Sequence, residues 1–294
     1  EQLKIVKTKK IEFFEREVDK ILRIRLRSGR EIKLTPEHPL LTIKGWKEVA
    51  SLNVGSRIAT PRSMPTFGNF QMEEHEIKLL AYFIAEGHTK TGVSFSNYDE
   101  VIVKDFEEAI VKLDNRLHLD QRKRGCYRIV NSKWISKIKK MEFVRDPFNK
   151  IIKRKFEREK SPLRKFLERH DLSYKKSKEK DIPVEIMKLS KEQLTLFLNR
   201  LFTCDGSLYS SGDCWEISYS SSSERLIRKV QHLLLHFGIL SKLRYKKVRL
   251  NEKIFPVFEL VLNGENVVQF IENIGFFGEK KLKEPSALQY FDTT

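Results

Sequence analysis

Cysteine is scarce. Cys126, Cys204 and Cys214 are the only three in 294 residues, too few and too scattered for a zinc pattern or a disulfide framework. Reduced thiols in a cytosolic protein are the expectation, with a prokaryotic or archaeal cytoplasm as the setting. Long apolar runs are also missing. Lys, Glu or Arg interrupts every candidate before it reaches the length of a membrane span. The opening "EQLKIVKTKK" lacks the apolar centre of a secretory signal. The third shortage is of acids: 40 Asp and Glu face 57 Lys and Arg, a net charge of +17. Polyanions are therefore the first partners to consider.

The excess charge is concentrated. Residues 121–180 hold 22 Lys and Arg against 7 Asp and Glu, so 22 − 7 = +15 lies in about a fifth of the chain. In "QRKRGCYR", "NSKWISKIKK" and "NKIIKRKFEREK" the bases interleave with aromatics and aliphatics, which predicts a folded basic surface rather than a disordered tail. Nucleic-acid contacts are expected from Arg122, Lys123 and Arg124, and from Lys153, Arg154 and Lys155.

Residues 1–62 read as β structure. "ILRIRLRSGREIKL" alternates on either side of a Ser-Gly turn, the signal of a hairpin. "HPLLTI" and "WKEVASLNVGSRIATP" follow in the same style around a turn at Lys44-Gly45. The stretch 62–70, "RSMPTFGNF", has Pro, Gly and Ser without periodicity and reads as a linker.

Beyond it the pattern changes. "EEHEIKLLAYFIAEG" is helical by the spacing of Ile77, Leu80, Ala81, Ile84 and Ala85. A short strand "GVSFSN" follows, then the amphipathic helix "DEVIVKDFEEAIVKLD", then basic strands leading to "PLRKFLERH". Near residue 180 the plan restarts. "SKEQLTLFLNRLFTCDG" opens with Ser190 and Gln193 at capping-box spacing. The strand "CWEISYSS", a helix stopping at Gly238, two alternating strands and the helix "ENVVQFIENIGF" complete it. The order of elements repeats, which predicts an internal duplication packed about a pseudo-two-fold axis.

Both halves carry an apolar run that ends in an acid and then a glycine: "LLAYFIAEG" at 79–87 and "LNRLFTCDG" at 198–206. Ala81 and Ala85 are small and four apart, so a second helix can approach closely. With the two helices side by side, Glu86 and Asp205 meet at two helix C-termini, the worst end for an anion. Two carboxylates ringed by carbonyl oxygens, those of Ala85 and Cys204 among them, call for a cation. Oxygen ligands favour a hard divalent ion, Mg²⁺ or a close substitute such as Mn²⁺. Beside a basic surface, that arrangement predicts phosphodiester hydrolysis.

At these residues the chain resembles the LAGLIDADG family of two-motif homing endonucleases. The resemblance implies an α+β fold of duplicated αββαββα halves, with the motif helices at the interface and metal-binding acids at their ends. It implies a monomer that binds a long asymmetric duplex site and cuts both strands across the minor groove, leaving 3′ overhangs. Glu86 stands where Asp is commoner, and Arg200 where the motif usually has a small residue. A second resemblance, to inteins, rests on "GREIKLTPEHPLLT" (29–42) and "GWKEVASLNVGSRIATPR" (45–62), which look like the N-terminal half of a Hint splicing domain. Thr35 and His38 match its Thr-x-x-His. "EKDIPVEIMKL" (179–189) matches the Lys-x-Ile-Pro stretch, making Lys180 an active-site lysine by resemblance. By the internal repeat, "FFGEKKLKE" (276–284) is its counterpart, with Lys280 or Lys281 as the partner lysine and Lys280 taken into the expected site. Asn97 falls where the family often keeps a polar residue near the cleavage site and joins the expected DNA contacts. The sequence as given begins without a Cys or Ser nucleophile and ends "LQYFDTT" without His-Asn, so it is not expected to splice.

The expected organisation is thus a partial Hint segment at 1–62, a first half with its basic insertion at 63–180, and a second half at 181–294. In "SKLRYKKVRL", Lys242, Arg244 and Lys246 share one strand face, suited to phosphate contacts and base readout in a major groove. Two alternatives use the same scaffold: a DNA-binding remnant that no longer cuts, and an RNA-binding splicing helper.

Overall fold

The computed structural model describes residue 12 and residues 15–131, 138–158, 160–211, 214–250 and 252–292. Two small hairpins come first, β1 (Leu22–Arg25) with β2 (Glu31–Leu34), and β3 (Pro39–Thr42) with β4 (Gly45–Glu48). Their turns are those expected from Ser28-Gly29 and Lys44-Gly45, with Gly29 at φ 84° and Gly45 at φ 90°. Strand character ends sooner than the sequence suggests. After Glu48 the chain makes a 3₁₀ turn at Val49–Ser51 and then only an isolated bridge at Ile58. Neither hairpin has a core of its own, and Ile43 (82 % exposed) and Trp46 (68 %) face outward.

Two copies of one topology follow. The first runs α1 (Glu74–Ala85), β5 (Gly87–His88), β6 (Ser94–Ser96), α2 (Glu100–Leu113), β7 (Leu117–Lys123) and β8 (Cys126–Asn131). The hairpin β9 (Ile138–Arg145) with β10 (Ile151–Arg158) is interposed before α3 (Pro162–Arg169). The second runs α4 (Lys191–Asp205), β11 (Gly206–Ser211), β12 (Cys214–Ser221), α5 (Glu224–His236), β13 (Lys242–Leu250), β14 (Lys253–Asn263) and α6 (Glu265–Asn273). Each copy forms a four-stranded antiparallel sheet, in the orders β5-β6-β8-β7 and β11-β12-β14-β13, which are the same order under the repeat. A further helix, α7 (Glu284–Asp292), was not foreseen from the sequence. No helix among the described residues is long and apolar enough to cross a membrane.

The centre of the molecule is α1 against α4. Ile77, Leu79, Leu80, Ala81, Tyr82, Phe83 and Ile84 of α1 are all buried, so this helix is covered on every side rather than along one stripe. On α4 the buried apolar residues Leu194, Phe197, Leu198, Leu201 and Phe202 recur at three-four spacing and form one broad stripe. Aromatic edges lock the first half together: Tyr82 lies 5.6 Å from both Phe95 and Phe106, and those two stack at 4.0 Å. Helix starts follow their caps, with Asp99 accepting from Val101 and Ile102 and Ser161 accepting from Arg164 ahead of Pro162. Ser190 caps α4, but Gln193 does not complete the expected capping box. Its amide brackets the backbone of Met72 instead, accepting from Met72 N (3.1 Å) and donating to Met72 O (2.6 Å).

The stretch 62–70 has no regular element, as expected, yet it is pinned rather than loose. Met64 N donates to Leu235 O, Gly68 N to Leu189 O and Phe70 N to Lys188 O. A Cβ on Gly68 would lie 1.8 Å from Lys188 O, so only glycine allows that approach. The first hairpin is docked too. The Ser28-Gly29 turn sits between α5 and β13, its two carbonyls accepting from Leu243 N, Gln231 Nε2 and Arg228 Nη1.

Candidate active site

The two acid-glycine motifs end side by side because α1 and α4 pack along each other. The glycines are there for space, not for a left-handed cap. Gly206 has φ −84° and starts a strand directly. A Cβ would meet Phe202 O at 2.5 Å there, and at Gly87 it would meet the Phe83 ring at 2.5 Å. Each chain therefore turns hard against its own last helical turn, leaving Glu86 and Asp205 at the paired ends.

Each of those ends is closed by a lysine. The Lys180 ammonium donates to the carbonyls of Phe83 (2.7 Å), Ile84 (3.0 Å) and Gly87 (2.7 Å). Lys280 donates to those of Thr203, Cys204 (3.1 Å) and Gly206. The two lysines thus answer the orphan carbonyls of helix C-termini with full positive charges. Lys180 is only 5 % exposed, and burial lowers its pKa to about 8 against the pull of Asp205 and Glu86. Burial also lowers that of Lys280.

The carboxylates respond in the opposite sense. Burial, then repulsion from Asp205, raises Glu86 to about 7, against a hydrogen bond from Asn97 and the two lysines. Burial raises Asp205 to about 6 against the same lysines. Asn97 donates to Glu86 Oε1 at 3.0 Å, so this expected DNA contact is instead committed to the acid. Among the described residues no hydrogen bond reaches the Asp205 carboxylate. Burial also pushes the Cys204 thiol well up, so its sulfur stays protonated.

A hard divalent cation fits this donor set. Burial holds both carboxyls above their ordinary values, with repulsion from Asp205 adding to the shift of Glu86, and both keep free lone pairs. No cluster of three or more His, Cys, Asp or Glu occurs among the described residues, so further ligands would be backbone, water or substrate oxygens. Of the two carbonyls in the expected set, that of Cys204 already accepts from Lys280.

Arg200, where a small side chain was expected, does not spoil the helix interface. Its Nε donates to Asp105 Oδ2 of α2 at 2.9 Å, and its guanidinium lies 3.7 Å from the Phe277 ring centroid. Asp105 also accepts from Lys78 (2.9 Å) and Tyr82 (2.6 Å). Sequence reading missed this network, although Asp105 falls on the apolar stripe of α2 beside Ile102, Phe106 and Ala109.

The faces of the sheets turned from the core form the candidate nucleic-acid surface. On β13, Lys242, Arg244 and Lys246 alternate with Leu243, which packs inward. Lys246 is held by Glu259 at 2.6 Å. Glu216 and Tyr209 share this face, joined by a 3.0 Å hydrogen bond. In the first half the same face carries His88, Ser94, Arg128 and Asp120, aligned across the four strands. None of these four was singled out from sequence, although strand alternation marks them. Arg122, Lys123 and Arg124 sit exposed at the β7–β8 turn, Arg122 paired with Asp120 at 3.0 Å. Lys153, Arg154 and Lys155 fall on β10, but their side chains lie outside the described residues. Thr35 and His38 close a turn, with His38 N donating to Thr35 O, and are far in sequence from the acid pair.

Comparison with known proteins places a LAGLIDADG-like domain at residues 192–275. That match covers α4 to α6, the second copy of the repeated topology. The chain is 32 % identical over 280 residues to the replication factor C small subunit of Methanocaldococcus jannaschii, covering 90 % of this chain and 13 % of that protein. It is 28 % identical over 262 residues to the replicative DNA helicase DnaB of Synechocystis, covering 88 % of this chain and 28 % of the helicase. The chain thus spans between about an eighth and a little over a quarter of these two relatives. Among solved structures it is similar to the homing endonuclease I-DmoI in complex with its target DNA in the presence of Mg, at 12 % identity and a TM-score of 0.41, covering 68 % of this chain and 95 % of the other.

Proposed function

We propose that this chain is a site-specific, divalent-metal-dependent DNA endonuclease that cuts both strands of a long duplex site and leaves 3′ overhangs. The observation that carries the reading is the pair of desolvated carboxylates, Glu86 and Asp205, at the ends of two packed motif helices, each end closed by its own lysine. The LAGLIDADG-like domain at residues 192–275 supports it. The repeat of that topology in residues 74–169 supplies the second half-site.

Glu86 and Asp205 would hold Mg²⁺, with the Ala85 carbonyl in reach of the same helix end. When bound, the ion would lower the pKa of a water nucleophile and neutralise charge on the scissile phosphate. Asn97 orients the Glu86 carboxylate through its 3.0 Å hydrogen bond. Lys180 and Lys280 hold positive charge beside the acids without leaving their helix ends, a preorganised field for an anionic transition state. The exposed sheet faces, with Lys242 and Arg244 on one and Arg128 on the other, would lie along the duplex. The basic residues of 121–180 would add phosphate contacts, and six of them would give log K a slope of about −5 against log salt.

A single segment that matches parts of two differently named proteins, a replication factor C small subunit and a replicative DNA helicase, supports reading it as an insertion carried within host proteins. The Hint-like reading of residues 1–62 draws its support from the two hairpins at residues 22–48, with Ile32, Ile43 and Trp46 exposed on them.

The test is cleavage of a randomised duplex library with Mg²⁺ and with EDTA, for the wild type and for Glu86→Gln and Asp205→Asn. Metal-dependent double-strand cuts at one recovered site, absent from both variants while duplex binding persists, are expected. Salt-sensitive binding with no cutting by the wild type would leave a DNA-binding remnant, and cutting by either variant at the wild-type rate would remove the acid pair from the site.

A further inference from the structure

Lys180 and Lys280 are anchored through the backbone as well as through their side chains. Their backbones show how each is held in place. Asp99 caps α2 with one carboxylate oxygen, Oδ1, which accepts from Val101 N at 2.9 Å. Its other oxygen, Oδ2, leaves the first half altogether and accepts from Glu279 N at 2.8 Å. Glu279 immediately precedes Lys280, and the turn before it is moulded on this carboxylate. Gly278 has φ 63°, and a Cβ there would lie 2.3 Å from Asp99 Oδ2.

The second half answers in kind. Ser223 caps α5, its hydroxyl oxygen accepting from Leu226 N at 3.3 Å. The hydroxyl proton goes to Lys180 O at 2.8 Å. Ser223 is 2 % exposed, so that bond is dry. Even the preceding turns correspond, with Asp99 N donating to Asn97 Oδ1 and Ser223 N to Ser221 Oγ. Asp99 and Ser223 are thus the same position of the repeat, doing the same two jobs with different chemistry.

We propose that Asp99 and Ser223 are positioning residues that seat the two lysines crosswise. The first half, through Asp99, seats the lysine that closes α4. The second half, through Ser223, seats the lysine that closes α1. Neither carboxylate has its lysine in place unless the opposite half is folded against it. On the endonuclease reading, on which this consequence rests, each strand cut depends on a seating residue of the opposite half. Loss of one seat weakens one half-site and leaves the other, so nicked DNA accumulates. Asn97 extends the link, since it bonds both Glu86 and the backbone of Asp99.

Two substitutions separate the seat from the helix cap. Asp99→Asn keeps an oxygen for Val101 and Ile102, and Asn caps as well as Asp. It places an amide N–H where Glu279 N needs an acceptor. Ser223→Gly keeps an acceptable N-cap residue but removes the hydroxyl donor to Lys180. The readout is competitive acylation of the full-length chain by limiting acetic anhydride, with Lys180 and Lys280 quantified by peptide mass spectrometry. Loss of one seating hydrogen bond should raise labelling of the released lysine on the order of tenfold. Asp99→Asn should expose Lys280 and not Lys180, and Ser223→Gly should do the reverse. No change in either variant, or both lysines rising together, overturns the proposal. In parallel, the recovered site is cut in a supercoiled plasmid, and the nicked circles are then linearised at a distant site and end-labelled on one strand or the other to show which strand was cut. Each variant should accumulate nicked circles, with opposite strands left uncut in the two; equal slowing of both strands overturns the crosswise dependence. A wild type that cuts nothing removes the endonuclease reading but leaves the acylation result standing.

Discussion

Replacing Glu86 by Gln should stabilise the metal-free protein while abolishing the activity proposed for it. The Glu86 carboxyl ordinarily ionises near 4.5 and is raised to about 7, and Asp205 goes from 3.8 to about 6. Each tenfold change in an acid constant is worth about 1.4 kcal/mol, so each gap corresponds to about 3 kcal/mol. A raised carboxyl contributes stability that is complete below the unfolded pKa and is lost as pH rises through the folded one. For Glu86 that window runs from about 4.5 to about 7. Above it the folded chain holds two desolvated, mutually repelling anions, and the Gln variant does not. Urea unfolding in EDTA should give wild type and Glu86→Gln equal stability near pH 4. By pH 8 the variant should be ahead by about 2–3 kcal/mol. Saturating Mg²⁺ should close this gap, since ligand at about 100 times its dissociation constant adds about 2.7 kcal/mol to the form that binds it. A difference that stays flat from pH 4 to pH 8, or a wild type ahead at pH 8 in EDTA, would refute the reasoning.

Asp105→Asn leaves Arg200 buried without its anion and should cost about 3–5 kcal/mol, lowering the thermal midpoint by about 6 °C or more. Burial pushes the Asp105 carboxyl up, but hydrogen bonds from Arg200 and Tyr82 outweigh it and hold it below its ordinary value. Its stabilisation is therefore present above the unfolded pKa and lost as pH falls through the folded one, so the two proteins should converge in acid. Calorimetry at pH 7 and pH 3 checks both parts. Gly68→Ala places a methyl 1.8 Å from Lys188 O and should force residues 64–70 off residues 188–189. Faster tryptic cleavage at Arg62 and a loss of about 1–3 kcal/mol are expected, and unchanged proteolysis would contradict the close approach.

Much of the site could be read from the chain because its chemistry is local. An apolar helical run closed by an acid and a glycine fixes where each carboxylate stands relative to its own helix, and the repeat of that pattern tells that there are two. The lysines of "EKDIPVEIMKL" and "FFGEKKLKE" were legible only by resemblance, since nothing in their spacing says which carbonyls they meet. The place of Arg200 could not be read from sequence, for a physical reason. Its partner Asp105 lies 95 residues away in sequence, and a charge on an interface helix looks like a defect until its counter-ion is placed. Asn97 was legible near the cleavage site only by resemblance, and its 3.0 Å hydrogen bond to Glu86 exists only in the folded chain. Helix α7 has too short an apolar pattern to stand out and is fixed by burial of Ala287.

What the sequence determined alone was periodicity, caps, turns and charge: which segments are helix or strand, that the plan occurs twice, and that the surface is basic. Those properties depend on neighbours a few residues apart. What only the tertiary structure decided was pairing at long range. It brought Glu86 to Asp205, set Lys180 and Lys280 on opposite helix ends, and gave Asp99 and Ser223 a second hydrogen bond across the interface. Hydrogen bonds and desolvation act over a few ångströms in space, whatever the separation along the chain, so these contacts exist only once the two halves have packed.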